Sequence, residues 1–425
     1  MEFIADIEIH SKYARAVSKE MVVENLALWA AKKGIKVLGT GDFTHPFWLK
    51  ELKEKLEPAE FGLFQLKKRF QPKNSYFDIS AIRFLLSGEV SCIYSKNNKV
   101  RRIHHLIYAP SFEEVDKINT QLGWIGNLKA DGRPIIGLDS KQLLKIMLSI
   151  SSECVLIPAH VFTPWFGLFG SKSGFDSLEE CFEELTDKVF AIETGLSANP
   201  AMCWRLPFLD NKAIISSSDS HSLHRLGREA TIFNTDLSYS AIMEAIKKRD
   251  DGLVGTIEFF PEEGRYHYDG HASCGVSLSP EETKKNKGFC PKCGKLLTVG
   301  VMSRVLELAA KDRPEGFKPE WAKPYYSLVP LDEIIAEALD VGVNSKRVWE
   351  EYDRIIKIFG SEFTVLIKAT ESDLKTELTP VIAEGILRIR QGKVYIEPGY
   401  DGLYGKIKIF TKEEREALSK QKSLF

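Results

Sequence analysis

Short, nearly continuous runs of Val, Ile and Leu recur along the first half of the chain, at Phe3–Ile9, Ile35–Thr40, Phe84–Val90, Ile103–Tyr108, Val155–Pro158, Val189–Glu193 and Ala213–Ser218. Such runs are expected of parallel strands covered on both faces. Between them the apolar period lengthens. Lys19–Lys33 predicts an amphipathic helix, stopped by Gly34 where a left-handed residue closes a helix. Strands and helices alternating over residues 1–255 predict an α/β barrel or a doubly wound sheet.

The pattern then changes. Residues 256–300 are rich in Gly, His, Tyr and Cys and have little apolar periodicity, so a core there needs a staple. From Val301 the chain reads as mainly helical, with helices at Leu331–Leu339 (behind Pro330), Ser345–Phe359 and Thr379–Arg390. A hairpin of Val394–Ile396 and Ile407–Phe410 is predicted around the glycine-rich GYDGLYG. The division is therefore 1–255, 256–300 and 301–425.

At 425 residues the chain exceeds what one core serves, and about two to four domains are expected. A hydrophobic fraction of 44% is ordinary for a globular protein. With a formal net charge of -1, any polyanionic partner must be met by local basic patches. The start, MEFIADIEIH, has no basic region, and no apolar run reaches membrane-span length. The reading is a soluble, cytoplasmic protein.

Cys92, Cys154, Cys181 and Cys203 are scattered in apolar surroundings, but Cys274, Cys290 and Cys293 cluster. His271-x-x-Cys274 with Cys290-x-x-Cys293 has the spacing of a structural zinc site, with His267 a rival for the first ligand.

Ionisable residues fall at the ends of the predicted strands. The first ends in Glu8 and His10, the second in Asp42 and His45, the third in Glu89, and His104-His105 open the fourth. His160, Glu193, Asp219 and His221 follow the later ones. In barrels and open α/β sheets the C-terminal strand ends carry the active site. Burying so many ionisable groups without a metal would be costly, so the set reads as a site for Zn²⁺, Mn²⁺ or Mg²⁺.

The motifs ADIEIHS, GTGDFTH, SGEVS, HHLIYA, IPAH and SSSDSH resemble, in order, those of PHP (polymerase and histidinol phosphatase) domains. The resemblance implies a distorted seven-stranded (β/α) barrel holding two or three metals. Carried over by position, Glu8, His10, Glu89 and Asp219 form one site. Glu89, His105 and His160 form a second. Asp42 or His45 with His221 contribute to a third, and Glu193 lies at the rim or completes a site. Catalytic roles fall to Glu89, Asp219, His221 and His45. This chain has Glu8 where the family's first motif begins with His, which favours Mg²⁺ or Mn²⁺. Tyr13 and Arg15 stand where a further His is common, which favours two metals over three.

HSKYARAVSK, PAHVFTPWFGLFGSKSGFDS, YHYDGH, CPKCGKLLTVGV and PGYDGLYGKI extend the resemblance nearly end to end, to the endonuclease Q family. It implies a DNA repair endonuclease cutting 5′ to a deaminated base (uracil, hypoxanthine or xanthine) or an abasic site. The cysteine site would then hold structural Zn²⁺ and the main site Mg²⁺ or Mn²⁺, with Zn²⁺ a further candidate there. Residues 301–425 would bind DNA or brace the barrel. Phosphates could be met by Arg101-Arg102, Lys172, His224-Arg225 and Lys247-Lys248-Arg249. Phe162, Trp165, Phe166 and Phe169 lie on a glycine-rich loop after His160, either to stack on bases or to pack as core. Gln421–Phe425 resembles the first half of a sliding-clamp-binding peptide. The alternatives are a phosphomonoesterase of small metabolites and a non-catalytic DNA- or clamp-binding protein.

Overall fold

The computed structural model describes residues 1–73 and 76–420. The tail peptide proposed to meet a clamp, Gln421–Phe425, lies outside them. The predicted strands form, with shifted bounds, an α/β fold. An eight-stranded mixed sheet runs Tyr325–Ser327, Leu253–Glu258, Ala230–Asn234, Glu2–Asp6, Val37–Gly39, Arg83–Leu85, Leu63–Leu66, Leu56–Pro58. A four-stranded sheet runs Ile135–Ile136, Ser87–Lys96, Lys99–Tyr108, Val155–Pro158. Ala191–Glu193 and Ala213–Ile215 pair in parallel.

The ladders therefore do not join into one continuous sheet. One reason is the Ser87–Lys96 and Lys99–Tyr108 pair, which is antiparallel rather than parallel. Its turn residues Asn97 and Asn98 both have positive φ, 54 and 57. That geometry matches the twist of a two-residue hairpin. Both strands are buried where they face the interior, so their apolar runs resemble those of parallel strands. Single backbone hydrogen bonds connect the sheets: Phe43 N to Ser87 O (3.2 Å), Val161 N to Glu193 O (3.1 Å) and His10 N to Ser220 O (3.0 Å). Phe3 and Ala5 of the first strand, and Ile7 just beyond it, pack with Leu106, Tyr108, Ile157, Ala191 and Ile215 in one buried cluster. Ile4 joins the larger outer core. This is the period-two alternation of strands with helices outside.

The first helix is Val23–Lys33, closed by Gly34 at φ 90. Residues before Val23 form turns instead, Met21 N bonding Ser18 O. The helices Leu331–Leu339, Lys346–Phe359 and Pro380–Arg390 build a C-terminal layer, and Tyr395–Glu397 pairs with Lys406–Lys408. This layer is tied to the first helix by a buried ion pair, Lys33 Nζ to Glu362 Oε2 at 2.7 Å. Leu253–Glu258 and its parallel neighbour Tyr325–Ser327 extend the main sheet, so the chain on both sides of the cysteine segment shares one sheet. Among the described residues no helix is long and apolar enough to cross a membrane.

Candidate metal centre

The strand ends bring their ionisable side chains together. Three groups of possible ligands, Glu8/Glu89/Asp219, His10/Asp219/His221 and Glu89/His104/His160, each place their ligand atoms within 4.8 Å of one another. Glu89 and Asp219 recur among them, so the groups share one centre. Both carboxylate oxygens of Glu8 are buried without a hydrogen-bond partner, as is Oε1 of Glu193. Burial first, then the charges of Glu193, Asp219 and Glu89, push the Glu8 carboxyl well above its ordinary range. Unpaired buried carboxylates are expensive unless a cation meets them, so the donor set fits a hard divalent metal.

His10 shows how the centre is oriented. Its Nδ1 lies 2.9 Å from Asp42 Oδ1, and its Nε2 lies 3.1 Å from both Glu89 and Asp219. Asp42 also accepts from Ser11 N and Ser11 Oγ at 2.6 and 2.7 Å. It thus stands behind the ligand, where a carboxylate fixes the imidazole tautomer. His160 is held likewise, its Nδ1 2.9 Å from Thr163 Oγ1. Asp42, His160 and Asp219 all adopt positive φ (48, 28 and 46). Such conformations in non-glycine residues gather at functional sites.

The geometry replaces one expected ligand. His104, not His105, faces Glu89, its Nδ1 2.6 Å from Oε1. His105 points to the other side of the strand, bonds Ser140 Oγ at 2.8 Å and packs on Phe182. Adjacent strand residues project to opposite faces, and burial drives the His105 pKa down to about 3. His45 is also drawn away: it is buried, stacked on Tyr13 at 4.5 Å, and desolvation lowers its pKa. Glu193 is fully buried, and its Oε2 accepts from the His160 N–H. Arg133, which no strand-end pattern marked, reaches Glu89 Oε2 with Nη1 at 3.0 Å.

His271, Cys274, Cys290 and Cys293 also converge within 4.8 Å. Val276, Cys290 and Leu297 form a small core beneath them. The rival His267 is buried apart, against Tyr268. Four protein donors fit tetrahedral zinc with no open position.

The loop after His160 divides its aromatics. Phe162 and Phe169 are core and pack on each other. Trp165 and Phe166 are half-buried, Phe166 lying 4.4 Å from the His104 ring. Lys172 is exposed. Arg225 is held by Glu333, Arg101 is buried against Phe175, and Lys247 and Lys248 both pair with Glu244. These basic residues have protein partners, which weakens their reading as phosphate contacts. Beside the centre a cavity of about 660 Å³ is lined by Arg225, Arg228, Phe259, Glu263, Glu333 and Tyr404 among others. Arg228 Nε bonds Ser218 O at 3.0 Å, next to Asp219.

The family model of the MJ0043 C-terminal domain matches residues 330–393. The uncharacterized protein MJ0043 of Methanocaldococcus jannaschii is 37% identical over 255 residues, 58% of this chain. That match spans only 31% of the Methanocaldococcus protein. The crystal structure of the lesion-specific endonuclease PfuEndoQ from Pyrococcus furiosus superposes with a TM-score of 0.83 at 30% identity, covering 98% of this chain and 99% of that one. Endonuclease Q in complex with a 27-mer duplex carrying an abasic lesion gives 0.84 at 31% identity, with 98% of each chain covered. Fold and matched structures together define an enzyme of the hydrolase class, a nuclease. The chain belongs to the endonuclease Q family.

Proposed function

We propose that this chain is a DNA repair endonuclease that hydrolyses the phosphodiester 5′ to an abasic site or a deaminated base (uracil, hypoxanthine or xanthine). One observation carries the reading: Glu8, Glu89 and Asp219 converge with unpaired oxygens in a chain similar throughout its length to endonuclease Q. The strand ends that supply them belong, on this reading, to a distorted barrel. Its support is the three single hydrogen bonds between sheets and the shared inner cluster of Phe3, Ala5, Leu106, Ile157, Ala191 and Ile215. Residues 1–255 then form the catalytic unit, 256–300 a zinc-stapled unit and 301–425 a helical unit that braces it and meets DNA.

Glu8, His10, Glu89, His104, His160 and Asp219 would hold the metals, with His221 beside them. When bound, divalent cations, Mg²⁺ or Mn²⁺ by the carboxylate-rich donor set, supply an acidified water and positive charge for the reacting phosphate. Asp42 holds His10 with Nε2 toward the centre. His221 has its Nδ1 2.8 Å from the Asp219 carbonyl and is about a third exposed, which suits it to protonate the departing 3′ oxygen. His45, packed on Tyr13, is left out of the chemistry. Phe166 and the cavity beside Arg228 offer an aromatic face and a space of nucleotide size for an extruded residue.

The test uses end-labelled duplexes with one abasic site, uracil or hypoxanthine, incubated with Mg²⁺ or Mn²⁺. A single cut 5′ to the lesion, lost in Glu89→Ala and Asp219→Ala, is expected. Hydrolysis of p-nitrophenyl phosphate with no cut in any duplex would instead show a phosphomonoesterase.

A further inference from the structure

Arg133 approaches the centre from a loop with no ligand on it, and its placement is over-determined. Asp131 Oδ1 accepts from both Arg133 N and Arg15 N, at 3.1 and 3.2 Å. Gly132 N bonds Tyr13 O at 3.2 Å and Gly132 O accepts from Thr44 Oγ1 at 3.1 Å. Pro134 O accepts from Ser91 N at 3.0 Å. A Cβ on Gly132 would stand 2.4 Å from Asp42 Oδ2 and 2.9 Å from Ala14 Cβ. The loop is thereby pinned to three segments, 11–15, 42–44 and 89–91, that carry or flank the candidate ligands.

The guanidinium touches Glu89 with Nη1 alone. Among the described residues its other N–H groups have no protein acceptor, and the side chain is 30% exposed. Charge decides what those donors are for. Glu8, Glu89 and Asp219 gather their carboxyl groups on the inner side of Arg133, a donor set for divalent ions. On that reading the Arg133 guanidinium shares Glu89 with a cation. An anion that touches both relieves that repulsion, and a planar guanidinium suits a phosphate's two oxygens. Resting on the reading of the site as a phosphodiesterase centre, we infer that Arg133 is a catalytic residue: it binds a non-bridging oxygen of the scissile phosphate and stabilises the charge that builds there.

Arg133→Ala and Arg133→Lys test this against a purely structural role. The wild-type holoenzyme cutting an abasic duplex is the benchmark. Arg133→Ala is expected to cut roughly 10²- to 10³-fold more slowly, the usual loss for one donor to a developing oxyanion. Its bound metal, measured by elemental analysis, stays at the wild-type level. Arg133→Lys keeps the charge on Glu89 but not the fork, and recovers the rate only in part. Millimolar guanidinium speeds Arg133→Ala and not the wild type. With a non-cleavable phosphorothioate duplex, the salt slope of binding falls by about 0.9, one phosphate contact. Loss of metal together with activity in Arg133→Ala, or a wild-type rate in Arg133→Lys, would overturn the assignment. If the wild-type chain cuts no lesion-bearing duplex, the proposed function fails first and the assignment falls with it.

Discussion

Asp42 Oδ1 lies 2.9 Å from His10 Nδ1, and this one contact commits Nε2 of His10 to the metal centre. An imidazole that ligates a metal keeps one N–H, and Asp42 is placed to accept it. Asp42→Asn keeps the shape and removes the charge. Metal affinity, by calorimetric titration, is expected to fall roughly 10- to 100-fold, the usual effect of losing a partner behind a ligand. An unchanged affinity would show that His10 is oriented by Glu89 and Asp219 alone.

The cysteine cluster predicts a separable metal. Its ligands lie together over a core of only Val276, Cys290 and Leu297, too small to fold by apolar burial. Cys293→Ser should release zinc, read by a chromogenic chelator, and open residues 272–299 to limited proteolysis. A protease-resistant, zinc-free variant would refute a stapling role.

Glu258 predicts a pH dependence for the metal-free chain. It is fully buried, with Oε2 3.2 Å from both Ser216 Oγ and Thr194 Oγ1. Burial pushes its pKa from 4.5 up to about 8. Between those values the unfolded state releases a proton that the folded state keeps, so this group makes stability fall as pH rises through that window. Below it both states are protonated and no difference arises. Glu258→Gln should raise the thermal midpoint at pH 8 in EDTA and flatten its decline from pH 5. A decline as steep as the parent's would assign the effect to other groups.

The ion pair between Lys33 and Glu362 is predicted to matter more than its surface counterparts. Both side chains are under 5% exposed, and Glu362 also accepts from Tyr352 Oη at 2.7 Å and Leu331 N at 3.2 Å. Glu362→Ala strands a buried ammonium and should cost about 3–5 kcal/mol in urea denaturation. Glu113→Ala breaks an exposed pair with Lys117 and should leave the midpoint where it is.

Much of the centre was legible because strand ends are local. An apolar run followed by Glu or His places that side chain at a sheet edge whatever the rest of the chain does, and Glu8, His10, Glu89, His160, Asp219 and His221 converge accordingly. The convergence of His271, Cys274, Cys290 and Cys293 was legible for the same reason, since two short loops set their own geometry. Likewise Gly34 ended its helix where expected, at a φ of 90.

Other features belong to the tertiary structure alone. His104 and His105 are neighbours of identical chemistry, and a strand's pleat sends one to Glu89 and the other to Ser140. Only the register of Lys99–Tyr108 against Ser87–Lys96 and Val155–Pro158 says which. Asp42 reads as a ligand by position, yet its contact with His10 sets it one layer back. Arg133 lies 44 residues from Glu89 in an irregular loop, and no periodicity connects them. The sequence alone determined which strands end in ionisable residues, because each strand carries its own pattern. Which of them faces inward, and which charge stands beside it, was decided by packing between segments distant in the chain.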